Sequence, residues 1–276
     1  MKKEHQKRRS KVMNIGFIGL GNMATAMMGG ILNKGIVSAD EIYGSDALEA
    51  AVNKAKEDMG IQATTDNLAV VEAADILIIS VKPQFYQTVI NQIKDYMKES
   101  QIVVSIAPGK TLSWLEEQFG KTLKLVRCMP NTPALVGAGC TGVCHNDQVS
   151  KEEMEVVLSI LRSFGVASLV PEHLMDVVVG VSGSSPAYVF MFIEAMADAA
   201  VADGMPRAQA YEFAAQAVYG SAKMLLETGV HPAELKDMVC SPGGTTIVAV
   251  KELEKNGFRS AVIEAQMACV EKSRSL

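Results

Sequence analysis

Short apolar runs without polar alternation punctuate the first half of the chain. They occur in "MNIGFIGLGNM" from Met13, in "DILIISV" at 75–81, in "QIVVSIA" at 101–107 and in "KLVRCMP" at 124–130. Runs this short and rich in Ile and Val, apolar on both faces, predict parallel strands buried on both sides. Helical patterns separate them, for example over Gln84–Met97 and Thr111–Phe119, and a further strand is expected in "EIYGSD", which ends at Asp46. Strands alternating with helices predict a doubly wound α/β sheet of Rossmann type. After "VASLVPEHLMD" the strand signals stop and only helical patterns remain. Ser185 is the expected N-cap and Pro186 the first helical residue of a long helix that stops at Gly204. A second long helix follows from Pro206 to Gly229. The first of these is apolar almost all round, so it requires cover on every side, and a partner chain is expected to supply part of it.

The glycines add chemistry to this outline. Gly19, Gly21 and Ala24 form a G-x-G-x-x-A turn between the first strand and its helix. The first glycine allows the tight turn, the second leaves room for a pyrophosphate, and the alanine lets helix and strand pack closely. Free N–H groups at that helix start favour phosphate. Ligands in such sheets lie beyond the carboxyl ends of the strands. Those ends carry "SVKPQ", "SIAPG" and "CMPNTP". A second glycine loop, "CSPGGTTIVAV" from Cys240, precedes another helix. Gly243 and Gly244 leave its backbone open, while Thr245 and Thr246 bring N–H and hydroxyl donors to a helix start, a place suited to a small carboxylate. A connection merely capped by threonine has the same pattern.

Composition narrows the classes. With 276 residues, 49% of them apolar, the chain can bury one large core or two ordinary ones. A net charge of −5 argues against a nucleic-acid partner. By this reading no apolar run reaches the roughly 20 residues of a membrane span, so a soluble protein with no membrane partner is expected. Residues 1–12 hold six Lys and Arg side chains and no apolar stretch, and are read as a disordered basic tail. Five cysteines without paired spacing fit a reducing cytoplasm. In "CTGVCH", Cys140–His145, three residues separate the cysteines where haem attachment needs two, and no second ligand pair completes a zinc site. Both are therefore expected to be ordinary buried thiols, and no metal is assigned.

Several stretches together resemble the pyrroline-5-carboxylate reductase family: "GFIGLGNMA", "VKPQ", "RCMPNTPALVGAG", "GVSGSSPAYVF", "LKDMVCSPGGTTI" and "GFRSAVIEA", in that order from Met13 onward. The resemblance implies a Rossmann domain over 13–172 and a helical substrate and dimerisation domain over 173–276, with dimers that can assemble into decamers. It implies reduction of the ring C=N of 1-pyrroline-5-carboxylate to L-proline by NADPH or NADH. Cofactor positions carried over are Ile18, Gly19, Leu20, Gly21, Asn22, Met23 and Ala24, then Ser45, Asn67, Val81, Lys82, Pro83, Ile106, Ala107 and Pro108. The substrate carboxylate is expected on the N–H groups of Thr245 and Thr246 beside Gly243 and Gly244, with the Thr246 hydroxyl toward the ring nitrogen. Glu172 matches a further position near substrate.

Two departures from the family pattern stand out. Asp46 follows Ser45 where members preferring NADPH usually carry small polar groups, so NADP is expected from the resemblance while Asp46 also admits NAD. Met238 stands where a polar residue often precedes the glycine loop. His231 and Asp237 are expected to have surface or capping roles. A β-hydroxyacid dehydrogenase shares the N-terminal "GLGNM" but needs a catalytic lysine on a later helix, and "GSSPAYVFMFIEA" has none. A dinucleotide sensor without turnover is the reading from a different class.

Overall fold

The computed structural model describes residues 13–275. The basic segment 1–12, read above as a disordered tail, lies outside the described residues. The described chain divides into two compact units. The first extends to Gly183 and takes in the chain from Val270 onward; the second is Ser184–Cys269.

The first unit is built on an 8-stranded sheet of order β3-β2-β1-β4-β5-β6-β7-β8. Its strands are β1 (Ile15–Ile18), β2 (Ile42–Ser45), β3 (Gln62–Thr64), β4 (Ile76–Ile79), β5 (Ile102–Ser105), β6 (Lys124–Met129), β7 (Gly139–His145) and β8 (Gly165–Leu169). The flanking helices are α1 (Asn22–Asn33), α2 (Glu49–Met59), α3 (Asn67–Ala73), α4 (Tyr86–Ile93), α5 (Leu112–Phe119) and α6 (Lys151–Leu161). Neighbouring residues of one strand feed opposite layers of core. Ile15, Phe17, Ile76, Ile78 and Val104 join the layer that contains Met27 of α1 and Leu158 of α6. Ile18, Leu77, Ile79 and Val103 join the layer with Val70 of α3, Ile90 of α4 and Leu115 of α5. This is why those runs carry no polar residue in the middle of the sheet.

The sheet is parallel from β3 to β6, and β7 then runs antiparallel to β6, pairing Arg127 with Cys144. The last strand signal, in "VASLV", is β8, while the sequence pattern did not announce β3, an edge strand with one side of its ladder open, or β7, which lies between β6 and β8. In β7, Cys144 is buried but Cys140 is exposed, which corrects the reading of both as buried thiols.

The helix expected to have Ser185 as its N-cap and Pro186 as its first residue begins one residue earlier, at Ser185. A short helix α7 (Met175–Val178) passes through a wide turn at Val179–Gly183 into α8 (Ser185–Ala202), and Ser184 stands in the N-cap place. Ser182 helps by returning its hydroxyl to the Val178 carbonyl at 3.1 Å, so glycine and serine here widen the helix rather than stop it. The resulting run, Glu172–Ala202, is 31 residues with a mean hydropathy of 1.4 over its most apolar window, long and apolar enough by length and composition to cross a membrane. That corrects the expectation that no such run exists.

The second unit holds α8, α9 (Arg207–Thr228), α10 (Pro232–Val239), α11 (Thr245–Lys255) and most of α12 (Phe258–Arg274). Among the described residues its buried hydrophobic side chains are Ala197 of α8 and Ala210 and Ala214 of α9. Helices meeting through alanines approach closely, but they bury little apolar area. Phe190, Met191, Phe213 and Ile263 remain exposed.

Candidate functional site

The strand order reverses at β1, which has β2 on one side and β4 on the other. Ile18 is level with Ser45 in β2 and with Ile79 in β4, so all three chains leave the sheet at one edge. The chain after β1 makes its tight turn at Gly19, with φ +98. A Cβ there would lie 2.9 Å from the Ser80 carbonyl carbon and the Val81 nitrogen, so glycine is required by space as well as by torsion. The Gly19 N–H donates to the Ser45 carbonyl at 2.7 Å, and the Ser80 hydroxyl donates to the Gly19 carbonyl at 2.7 Å. Ser80 was not singled out from sequence; its signal was a hydroxyl placed directly after an all-apolar strand.

Gly21 is the N-cap of α1, exposed, with no side chain capping the helix start. A Cβ at Gly21 would meet nothing within 4 Å. Open space in front of uncapped helical N–H groups is what a pyrophosphate needs, so the residues present fit a dinucleotide. Asn22 and Lys82 are exposed along this edge, and Met23, Val81, Pro83, Ile106 and Pro108 are half-buried. Ile18, Leu20, Ala24 and Ala107 are buried, so they shape the floor rather than present side chains. Ser45 is fully buried, and its hydroxyl donates to the Asn67 carbonyl oxygen at 2.8 Å. The Asn67 amide in turn donates to Gln92 at 2.8 Å.

Tyr86 supports the rim beyond β4 and β5. Its hydroxyl donates to the Ile79 carbonyl at 2.5 Å and accepts the Ile106 N–H at 3.1 Å and the Ser105 hydroxyl at 3.2 Å. Complete burial pushes this phenol up to about 12. Burial likewise pushes the Cys144 thiol up to about 12, with the nearby Glu172 carboxylate adding to the effect. Both groups serve the fold and stay protonated at neutral pH.

Glu172 is held within the first unit. Its Oε1 accepts the Leu112 N–H at 2.7 Å and the Arg127 guanidinium at 3.1 Å. The Arg127 side chain is only 3% exposed, and its Nε has no partner among the described residues. Sequence reasoning missed Arg127, because an arginine in an apolar strand resembles a strand end.

In the second unit, the loop between α10 and α11 turns at Gly243, with φ +70. Gly244 is the N-cap of α11 and again no side chain caps the helix. A Cβ at Gly244 would fall 2.3 Å from the Ser241 hydroxyl, so the loop is tight just behind Thr245 and Thr246. Thr245 is exposed and Thr246 half-buried in the first turn. His231 caps α10 by accepting the Ala233 N–H at 3.2 Å, and Asp237 pairs with Lys236 at 2.7 Å on the surface. A cavity of about 390 Å³ between α9 and α10 is lined by Leu225, Leu235 and Val239 and does not include the glycine loop.

A glycine turn at the switch point of a doubly wound sheet, with an uncapped helix facing open space, defines a dinucleotide-binding protein of the Rossmann class. Comparison with known proteins agrees and goes further. Residues 14–109 match the family described as NADP oxidoreductase, coenzyme F420-dependent, and residues 172–276 match the one described as pyrroline-5-carboxylate reductase dimerisation. The pyrroline-5-carboxylate reductase of Escherichia coli (strain K12) is 54% identical over 262 residues, covering 95% of this chain and 97% of that protein. A solved pyrroline-5-carboxylate reductase from Coxiella burnetii superposes with a TM-score of 0.89 at 35% identity, over 96% of this chain and 98% of that one. A Plasmodium falciparum pyrroline carboxylate reductase with NADP bound gives 0.87 at 34% identity, over 95% and 97%. The chain belongs to the pyrroline-5-carboxylate reductase family.

Proposed function

We infer that this protein is a pyrroline-5-carboxylate reductase, an NAD(P)-dependent oxidoreductase that converts 1-pyrroline-5-carboxylate to L-proline in proline biosynthesis. The observation that carries the reading is family membership along almost the whole chain, joined to two uncapped helix starts of different character, at Gly21 and at Gly244.

The chemistry a bound reduced nicotinamide would supply is a hydride for the electrophilic imine carbon. The residues of the chain bind, orient and satisfy charge. The turn at Gly19–Ala24 and the uncapped start of α1 would hold the pyrophosphate, and the segments Val81–Pro83 and Ile106–Pro108 border the same edge. The substrate carboxylate rests on the N–H groups of Thr245 and Thr246, which the loop at Gly243 and Gly244 leaves open. The Thr246 hydroxyl donates to the ring nitrogen as that nitrogen gains an electron pair. An alcohol is a weak acid, so the proton that completes the amine arrives on the substrate or from water. Residues 13–172 take the dinucleotide role, and residues 173–276 the substrate and dimerisation roles.

A second copy of the chain covers the exposed apolar side chains of the second unit, giving a homodimer that can assemble into a decamer. That protein cover, rather than lipid, accounts for the Glu172–Ala202 run, which also carries Glu194 and Asp198. Five free cysteines support a cytoplasmic site of action. The test is consumption of NADPH or NADH by the purified protein with and without 1-pyrroline-5-carboxylate. Oxidation that depends on substrate and yields proline is expected; cofactor binding without turnover would replace this reading with that of a sensor.

A further inference from the structure

Asp46 leaves β2 beside the glycine turn, and its carboxylate is fixed there. Its Oδ2 accepts the N–H of Leu20, the residue between Gly19 and Gly21, at 2.9 Å. Its Oδ1 accepts the N–H of Leu48, just before α2, at 2.9 Å. A carboxylate at the end of the second strand of such a fold meets the adenosine ribose and bonds its free 2′-hydroxyl. Here the two backbone donors, one of them in the glycine turn and one just before α2, hold it in that place.

The described residues next to Asp46 in sequence supply no free cation for a 2′-phosphate. Ser45 is fully buried and bonded to Asn67, whose amide is bonded to Gln92, so both polar side chains expected to meet a phosphate are engaged with the protein. Ala47, Leu48 and Glu49 follow without a cation, and Lys54 on the next turns of α2 is paired with Asp58 at 2.7 Å. A 2′-phosphate, carrying roughly −1.5 to −2 charges near neutral pH, would face a carboxylate that gives up its bonds to the Leu20 and Leu48 N–H groups if it swings away.

We propose that Asp46 is the residue that sets dinucleotide preference in this chain, disfavouring the 2′-phosphate so that NADH binds at least as tightly as NADPH. The proposal rests on the dinucleotide-binding reading above and deepens it. Both dinucleotides remain substrates of the same edge of the sheet; Asp46 sets the ratio between them.

The test is calorimetric titration of the full chain, without 1-pyrroline-5-carboxylate, using NADH, NADPH, ADP-ribose and its 2′-phosphate. In the unaltered protein the unphosphorylated ligand of each pair should bind at least as tightly, and the difference should shrink as salt is added. Asp46→Asn and Asp46→Ala should each move the ratio toward the phosphorylated ligand by about tenfold or more. Reading a ratio separates charge from loop damage, because loss of the Leu20 hydrogen bond weakens both ligands alike. NADPH binding tenfold tighter than NADH in the unaltered protein would overturn the proposal and leave the reductase reading standing. So would a ratio that stays constant in both variants. If none of the four ligands binds, the reductase reading itself falls and takes the proposal with it.

Discussion

Thr246 and Glu172 show how differently two single residues can be tested. The resemblance implies a role at the substrate for both, yet Thr246 sits in the first turn of a helix that no side chain caps, whereas Glu172 is bonded to Leu112 and Arg127. A hydroxyl whose hydrogen bond strengthens as the ring nitrogen gains electrons contributes mainly to kcat. Thr246→Ala is expected to lower kcat about 10- to 100-fold with a much smaller change in substrate KM, measured by steady-state kinetics. An unchanged kcat removes Thr246 from the chemistry. Glu172→Gln removes the charge facing a buried guanidinium whose Nε is already unpartnered. Glu172 is 33% exposed, so water screens part of the loss, and a destabilisation of about 1–3 kcal/mol is expected in urea unfolding. A stability equal to that of the unaltered protein would mean that Arg127 is balanced by other groups.

Among elements, the junction of β4, α4 and β5 depends on one phenol. Tyr86 ties the last carbonyl of β4 to the first N–H beyond β5, and so sets the spacing of two segments on the candidate cofactor edge. Tyr86→Phe keeps the packing but strands the buried Ile79 carbonyl and the half-buried Ile106 N–H, which should cost about 1–3 kcal/mol. The same residue predicts a pH dependence. Its folded pKa is raised to about 12 from an ordinary value near 10, so its contribution is intact below pH 10. As pH rises from 10 to 12 the unfolded chain ionises first and stability falls, by about 2–3 kcal/mol from this group. The Cys144 and Cys128 thiols, both pushed up by burial, act in the same direction from about pH 9. Unfolding midpoints measured from pH 8 to 11.5 should decline steadily, and less steeply above pH 10 in the Tyr86→Phe variant. A flat profile would show that the phenol and the thiols ionise equally well in the folded protein.

For the whole molecule the question is how the second unit is stabilised. Three buried alanines are a small core for a unit of this length, while Phe190, Met191, Phe213 and Ile263 face outward. A dimer interface that covers them would be obligate and apolar. Phe190→Lys combined with Ile263→Lys is expected to shift sedimentation from dimer or larger species to monomer and to lower Tm. A variant that sediments like the unaltered protein would place the interface elsewhere.

Local signals made much of this protein legible. The runs 75–81, 101–107 and 124–130 became β4, β5 and β6 because a strand covered by helices on both faces is mostly apolar, with Arg127 in β6 an exception. Gly19, Gly204 and Gly229 marked turns because positive φ is strained for any residue with a Cβ. The motifs "SPGGTTI" and "SGSSPAY" carried the family resemblance, since a loop that must expose backbone donors tolerates few alternatives. Tertiary structure alone decided the rest. It moved the N-cap of α8 from the expected Ser185 to Ser184, because the wide turn at Val179–Gly183 leads the chain into the helix. It added β3 and β7, short or mixed segments that no continuous apolar run marks. It also buried Ser45, engaged Asn67 and brought the Asp46 carboxylate to the Leu20 N–H across 26 residues of sequence. Periodicity and glycine torsions act over a few neighbours and can be read along the chain, whereas a hydrogen bond between distant segments exists only after strand order has brought them together.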